Sequence, residues 1–255
     1  MTSSLTVLGS CGGWPEPGRA CSGYVLEHDG YRIVLDLGYG TLPRLLADLD
    51  SIAGTGVDAV LLSHAHPDHM VDLHGLFRAR WYGDSAAAPI PLIAPIGVLQ
   101  FLEYLEMPHE SRLRRIFAWE QPPTDRQITL GPFDLSCFPL PHYVDNFGFR
   151  LQSPELTVAY TGDTGPSPDL VALSRNADLL VADSTDRYQT ADDNWDDHLL
   201  LTAVEAGRVA REASVEALLL THFWPGNDRE KAAHAASSQY AGKVLIADEG
   251  LRVQL

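Results

Sequence analysis

Between residues 61 and 69 the chain reads Leu-Leu-Ser-His-Ala-His-Pro-Asp-His, which sets three imidazoles and a carboxylate directly behind an apolar run. On an extended segment residues 64 and 66 project to the same side, so His64 and His66 can converge on one cation. Pro67 can then turn the chain and let Asp68 and His69 face a second cation a few ångströms away. Histidines on a solvated surface rarely concentrate in this way. The chemistry that such a cluster offers is metal-assisted hydrolysis: two close cations lower the pKa of a bridging water towards neutrality and hold an ester oxygen at the same time.

This segment resembles the His-x-His-x-Asp-His signature of the metallo-β-lactamase superfamily. The resemblance implies three further ligands at strand ends, and the chain offers a residue for each. His142 follows the run ending at Leu140, Asp163 lies in Tyr160-Thr161-Gly162-Asp163-Thr164, and His222 closes Leu218-Leu219-Leu220-Thr221-His222. By this likeness His64, His66 and His142 hold one ion, Asp68, His69 and His222 hold the other, and Asp163 bridges them. Imidazole and carboxylate without thiolate favour two zinc ions, with manganese or iron able to use the same donors.

A second likeness narrows the chemistry. Asp178-Leu179-Leu180-Val181-Ala182-Asp183-Ser184-Thr185, followed by His198 and Thr202-Ala203-Val204-Glu205-Ala206, resembles the phosphodiesterase branch that contains ribonuclease Z. In that branch an acidic residue after a strand orients a histidine at a helix start, which implies that Asp183 pairs with His198. An imidazolium held beside the ions can stabilise phosphoryl charge or protonate a leaving alkoxide, so Asp68, Asp183 and His198 are the expected catalytic residues. His142 and Asp163 are 21 positions apart, which leaves no room for the long arm of transfer-RNA-processing members. Over the whole chain, from Thr6-Val7-Leu8-Gly9-Ser10 to Asp248-Glu249, the sequence resembles a largely actinobacterial group that includes atypical cyclic-nucleotide phosphodiesterases. The expected substrate is a cyclic nucleotide or another small phosphodiester. The other readings are a zinc-dependent lactone or thioester hydrolase, in which His198 would hydrogen-bond a carbonyl oxygen, and an iron-loaded redox member of the fold. The resemblance also implies a homodimer.

Positioning such a set requires strands that end at one edge. Runs at 5–8, 23–27 and 31–37 read as strands, with Asp29-Gly30 as a hairpin turn and Thr41 capping a helix whose leucines recur at helical spacing. A buried strand at 59–62 leads into the histidine cluster, and helices are expected at 71–82 and about 97–104. The second half repeats the order, with strands at 128–130, 134–139, 147–152, 157–160, 179–182, 217–220 and 243–247. Helical stretches at 168–174, 201–213 and 229–241 separate the later strands. The class is therefore α/β, a four-layer αββα sandwich with two facing sheets, within a single domain spanning 1–255.

Composition sets the outer limits. The formal net charge is −16 and Lys231 and Lys243 are the only lysines, so the surface repels polyanions and long nucleic acid is not an expected partner. Arg112, Arg114 and Arg115 form the one dense basic run, read as a solvated helix face. Cys11, Cys21 and Cys137 suggest neither a disulfide framework nor a thiolate metal site. No apolar run reaches about 18 residues and residues 1–10 do not resemble a secretion signal, so a cytoplasmic protein without membrane contact is expected. His28, His74, His109 and His234 read as ordinary histidines. Trp14, Trp81, Tyr143, Phe147, Phe223 and Trp224 are candidates to stack on a base or to line an apolar pocket.

Overall fold

The computed structural model describes residues 3–186 and 198–255. One seven-stranded sheet has the order β14-β1-β2-β3-β4-β5-β6. Its strands are β1 (Ser3–Gly9), β2 (Gly23–His28), β3 (Tyr31–Leu37), β4 (Ala59–Leu61), β5 (Ile90–Ile93), β6 (Phe117–Glu120) and β14 (Arg252–Gln254). The second, also seven-stranded, runs β13-β12-β11-β10-β9-β8-β7. It comprises β7 (Ile128–Leu130), β8 (Phe133–Leu140), β9 (Asn146–Gln152), β10 (Thr157–Tyr160), β11 (Leu179–Asp183), β12 (Ala217–Thr221) and β13 (Lys243–Ile246).

The period-2 alternation of the strands builds the layers. Leu5 and Val7, Ile33 and Leu35, Leu179 and Val181, and Leu219 turn inward and pack sheet against sheet. Val34, Val60 and Leu62 turn outward onto α1 (Thr41–Asp48), α3 (Asp72–Gly83), α4 (Ile96–Leu105) and α5 (Leu113–Ile116). Leu180, Leu218 and Leu220 do the same against α6 (Asp169–Ser174), α7 (Ala203–Glu212) and α8 (Arg229–Ser237). Three apolar clusters thus separate four layers, the αββα sandwich of the metallo-β-lactamase fold. Each fully buried leucine contributes on the order of 2 kcal/mol.

Strands β3 to β6 are mutually parallel, as are β10 to β13. Their carboxyl ends open into loops that are free to carry polar groups. Strands β5, β6 and β14 were not anticipated as strands, because runs of three or four residues owe their conformation to pairing partners more than to local propensity. Pro67 opens a separate helical turn, α2 (Pro67–Met70), where its fixed φ suits the first position, and α3 follows it. Thr41 is the first residue of α1 and not its cap. Gly40 holds the cap position at φ 79°, and Asp72 accepts from Leu42 N at 2.8 Å.

The arginine run also differs from a merely solvated face: the Arg112 and Arg115 guanidiniums each lie 5.2 Å over the Trp81 ring. The three cysteines are buried free thiols, and burial pushes Cys137 up to about 12, which leaves it inert at neutral pH. Among the described residues no helix is long and apolar enough to cross a membrane.

Candidate metal centre

All seven expected ligands converge. His64 and His66 follow β4, with Asp68 and His69 on α2, while His142 follows β8, Asp163 follows β10 and His222 follows β12. Their donor atoms fall into two groups, His64, His66, His142 and Asp163, and Asp68, His69, Asp163 and His222, each with all atoms within 4.8 Å of one another. Asp163 belongs to both. Its Oδ2 is 3.1 Å from His222 Nε2 and 3.8 Å from His142 Nε2, and its Oδ1 is 3.2 Å from His69 Nε2.

The outer hydrogen bonds decide which ring nitrogen faces inward. Asp36 is fully buried; its Oδ1 accepts from Ser63 N, and its Oδ2 accepts from Ser63 Oγ, Tyr160 OH and His69 Nδ1, the last at 2.7 Å. Because Ser63 Oγ donates to Asp36, it must accept from His64 Nδ1, 2.9 Å away. His142 Nδ1 donates to the Leu199 carbonyl at 3.0 Å, and His222 Nδ1 meets Thr185 Oγ at 2.7 Å. Thr185 Oγ in turn donates to Asp183 Oδ1. When the rings are neutral, as binding a cation requires, four of them keep their proton on Nδ1 and turn Nε2 towards the centre.

These inward atoms fit a cation and little else. His66 Nδ1 lies 3.0 Å from His64 Nε2 and 3.1 Å from His142 Nε2, and one proton on it serves only one of the two at a time. His69 Nε2 and Asp163 Oδ1 are buried and 3.2 Å apart, yet neither makes a well-aligned hydrogen bond to the other or to any described residue. A close set of lone pairs and carboxylates is costly unless positive charge sits among them. The donor types, imidazole and carboxylate, suit zinc, iron or manganese.

The backbone is shaped to the same end. Asp36 and His222 occupy left-handed φ values of 56° and 59°, an unfavourable conformation for residues with a Cβ that clusters at functional sites. At residue 12 a Cβ would stand 2.6 Å from the His222 ring, so only glycine lets this loop lie on the ligand. The next residue donates its amide, Gly13 N, to Asp68 Oδ2 at 2.7 Å.

Charge in the metal-free centre follows the same logic. Burial disfavours the charged His222 ring, yet Asp163, Asp183 and Asp68 push it up to about 10. Burial likewise opposes charge on His69, but Asp163 and Asp68 raise it well above its ordinary value. In His64, burial and the neighbouring imidazoles lower it instead. Relative to an unfolded histidine near about 6.5, the raised His222 stabilises the fold fully below that pH, and the contribution is lost as pH rises through about 10. Chelated protein is expected to melt at progressively lower temperature across this window, and metal-loaded protein to change less. A flat melting profile of the chelated form would contradict this charge state.

One expected pairing is corrected. Asp183 does not meet His198: its fully buried carboxylate accepts from Thr185 N, Thr185 Oγ and Leu201 N, and lies 3.4 Å from His222 Nδ1. An aspartate is short, and these local donors consume it. His198 Nε2 instead meets Glu205 Oε2 at 3.0 Å, while Glu205 closes a capping box with Thr202 at the start of α7. The His198 side chain is 40% exposed, and its chain neighbour Leu199 supplies the carbonyl that orients His142.

Residues that sequence reasoning passed over are Asp36, Ser63, Thr185 and Glu205. Asp36→Asn is expected to lower metal affinity about 10–100-fold, chiefly in the group containing His69, as measured by competition with a chromogenic chelator. Unchanged affinity would show that Asp36 does not orient that ligand. Three of the histidines read as ordinary make bonds away from the centre: His28 bonds Ser3, His74 bonds Glu106 and His234 bonds the Glu230 carbonyl. Of the aromatic candidates, Phe147 and Phe223 are buried core and Trp81 lies under the arginines, whereas Trp14 and Tyr143 are 52% and 42% exposed.

Comparison with known proteins agrees with this geometry. A family model described as "Beta-lactamase superfamily domain" matches residues 21–223. The "Probable metallo-hydrolase YhfI" of Bacillus subtilis (strain 168) is 28% identical over 249 residues, covering 96% of this chain and 97% of that protein. The YhfI crystal structure superposes with a TM-score of 0.86 at 27% identity, covering all of both chains. A "Ribonuclease Z" of Mycobacterium bovis (strain BCG / Pasteur 1173P2) is 28% identical over 277 residues, covering 98% of each.

Proposed function

The chain belongs to the metallo-β-lactamase superfamily of metal-dependent hydrolases, and from that premise we propose that it is a two-zinc phosphodiesterase acting on a cyclic nucleotide or another small phosphodiester. The observation that carries this reading is a protonatable imidazole, His198, with its own carboxylate partner. It stands outside both donor groups, yet one residue from the carbonyl that holds His142. Likeness to a protein named ribonuclease Z supports phosphodiester chemistry. The interval from His142 to Asp163 is filled by the hairpin of β9 and β10, which favours a small substrate over transfer RNA.

In this reading His64, His66, His142 and Asp163 hold one ion, and Asp68, His69, His222 and Asp163 hold the other. When bound, the ions supply Lewis acidity towards a water and towards a phosphoryl oxygen. The chain does the rest. Burial opposes the Asp68 charge, but His69, His222 and Gly13 N keep it a carboxylate, placed to take the proton of the attacking water. His198, held by Glu205, delivers a proton from its imidazole to the departing alkoxide oxygen. Asp183 acts through Thr185 and the His222 ring.

A screen of zinc-loaded protein against cyclic nucleotides, dinucleotides and bis(p-nitrophenyl) phosphate, beside a lactone panel, tests the reading. Turnover of phosphodiesters is expected. Turnover of lactones alone, or predominant iron without hydrolysis in protein purified without added metal, would sink it.

A further inference from the structure

Beside the centre stands an aromatic pair for which the hydrolytic steps have no use. The Trp14 and Trp224 rings lie 6.3 Å apart, tilted by 48°, and Trp14 is 52% exposed, an uncommon placement for so large an apolar surface. Both sit next to ligands in the chain. Trp14 follows Gly13, whose amide binds Asp68, and Trp224 lies two residues beyond His222.

The two loops that carry the indoles are stitched together. Gly12 N donates to the Phe223 carbonyl at 2.9 Å, Phe223 N donates to the Ser10 carbonyl at 3.0 Å, and Gly226 N donates to Glu16 Oε1 at 2.7 Å. Glu16 is itself held by Arg19 at 3.3 Å. The backbone that carries the pair is thus held before any ligand arrives, which lowers the ordering cost of binding.

Charge narrows what such a surface receives. The chain carries a net charge of −16, so an anionic ligand finds its main charge compensation at the metal centre and gains most elsewhere from contacts that do not depend on charge. A planar base supplies them, since it stacks on an aromatic face without regard to charge or sequence. We propose that Trp14 and Trp224 form a preassembled stacking platform for the base of a nucleotide whose phosphate lies at the metal centre. This deepens the phosphodiesterase reading and takes its substrate class from it.

Isothermal titration of zinc-loaded protein with AMP and with ribose 5-phosphate tests the platform, because the two probes share sugar and phosphate and differ only in the base. AMP is expected to bind at least about tenfold more tightly. Trp14→Ala and Trp224→Ala should abolish the preference, and Trp14→Phe should keep most of it with the metal content of the unmodified protein. Equal binding of both probes, or a preference that survives both alanine variants, would overturn the platform. Base preference without phosphodiester turnover would keep the platform and sink the phosphodiesterase reading, whereas turnover without base preference would do the reverse.

Discussion

Asp163→Asn is expected to strip metal from both positions at once and to lower hydrolytic turnover by on the order of 10³-fold or more. Asp163 is the one residue shared by the two donor groups, with an oxygen within 3.2 Å of His69 Nε2 and another within 3.1 Å of His222 Nε2. Burial opposes its charge, yet His222, His69 and His142 hold it below the ordinary carboxylate range, so it is ionised at neutral pH. The amide has nearly the same shape but no charge, and it would leave the bare imidazole nitrogens without an anion to help retain a dication. Elemental analysis per folded chain checks the first half of this prediction, and steady-state rates check the second. Retention of the unmodified metal content with turnover within about tenfold would remove Asp163 from the bridging role.

The second large effect concerns His198. His198→Ala is expected to lower turnover about 10²–10⁴-fold while the metal content stays that of the unmodified protein, because His198 lies outside both donor groups. The loss should shrink with substrates whose leaving groups need no proton, such as p-nitrophenolate esters, and be largest with alkoxide leaving groups. Glu205→Gln should fall in the same direction by less, since it weakens the partner at 3.0 Å and leaves the imidazole in place. Loss of metal from His198→Ala would make the residue a structural support, and an equal loss on good and poor leaving groups would remove it as a proton donor.

Much of this centre was legible in the chain. His64, His66, Asp68 and His69 lie so close together that local geometry alone brings them to one place. His142, Asp163 and His222 were readable as ligands through the family resemblance, which implies one at each of three strand ends, and β8, β10 and β12 run in the same direction and bring those ends to the same edge of the sandwich. The layer order was legible for a similar reason: alternation along β3, β11 and β12 states which side chains face which layer.

The supports were not legible, and the reason is distance along the chain. Asp36 reaches Ser63, His69 and Tyr160, the last 124 positions away, and nothing near Asp36 in the sequence marks it as the carboxylate that orients a ligand. The pairing of Asp183 with His198 failed on the same account. Residue types allow either Asp183 or Glu205 as partner, and the choice fell to whichever carboxylate was left free once Thr185 and Leu201 had engaged Asp183. Residue type and short spacing by themselves marked the cluster from His64 to His69 as a cation site and the runs that become its strands, and the family resemblance pointed to the three distant donors. The folded chain alone decided which nitrogen of each ring faces inward, because that depends on hydrogen bonds between residues that only the packing of two sheets brings within reach.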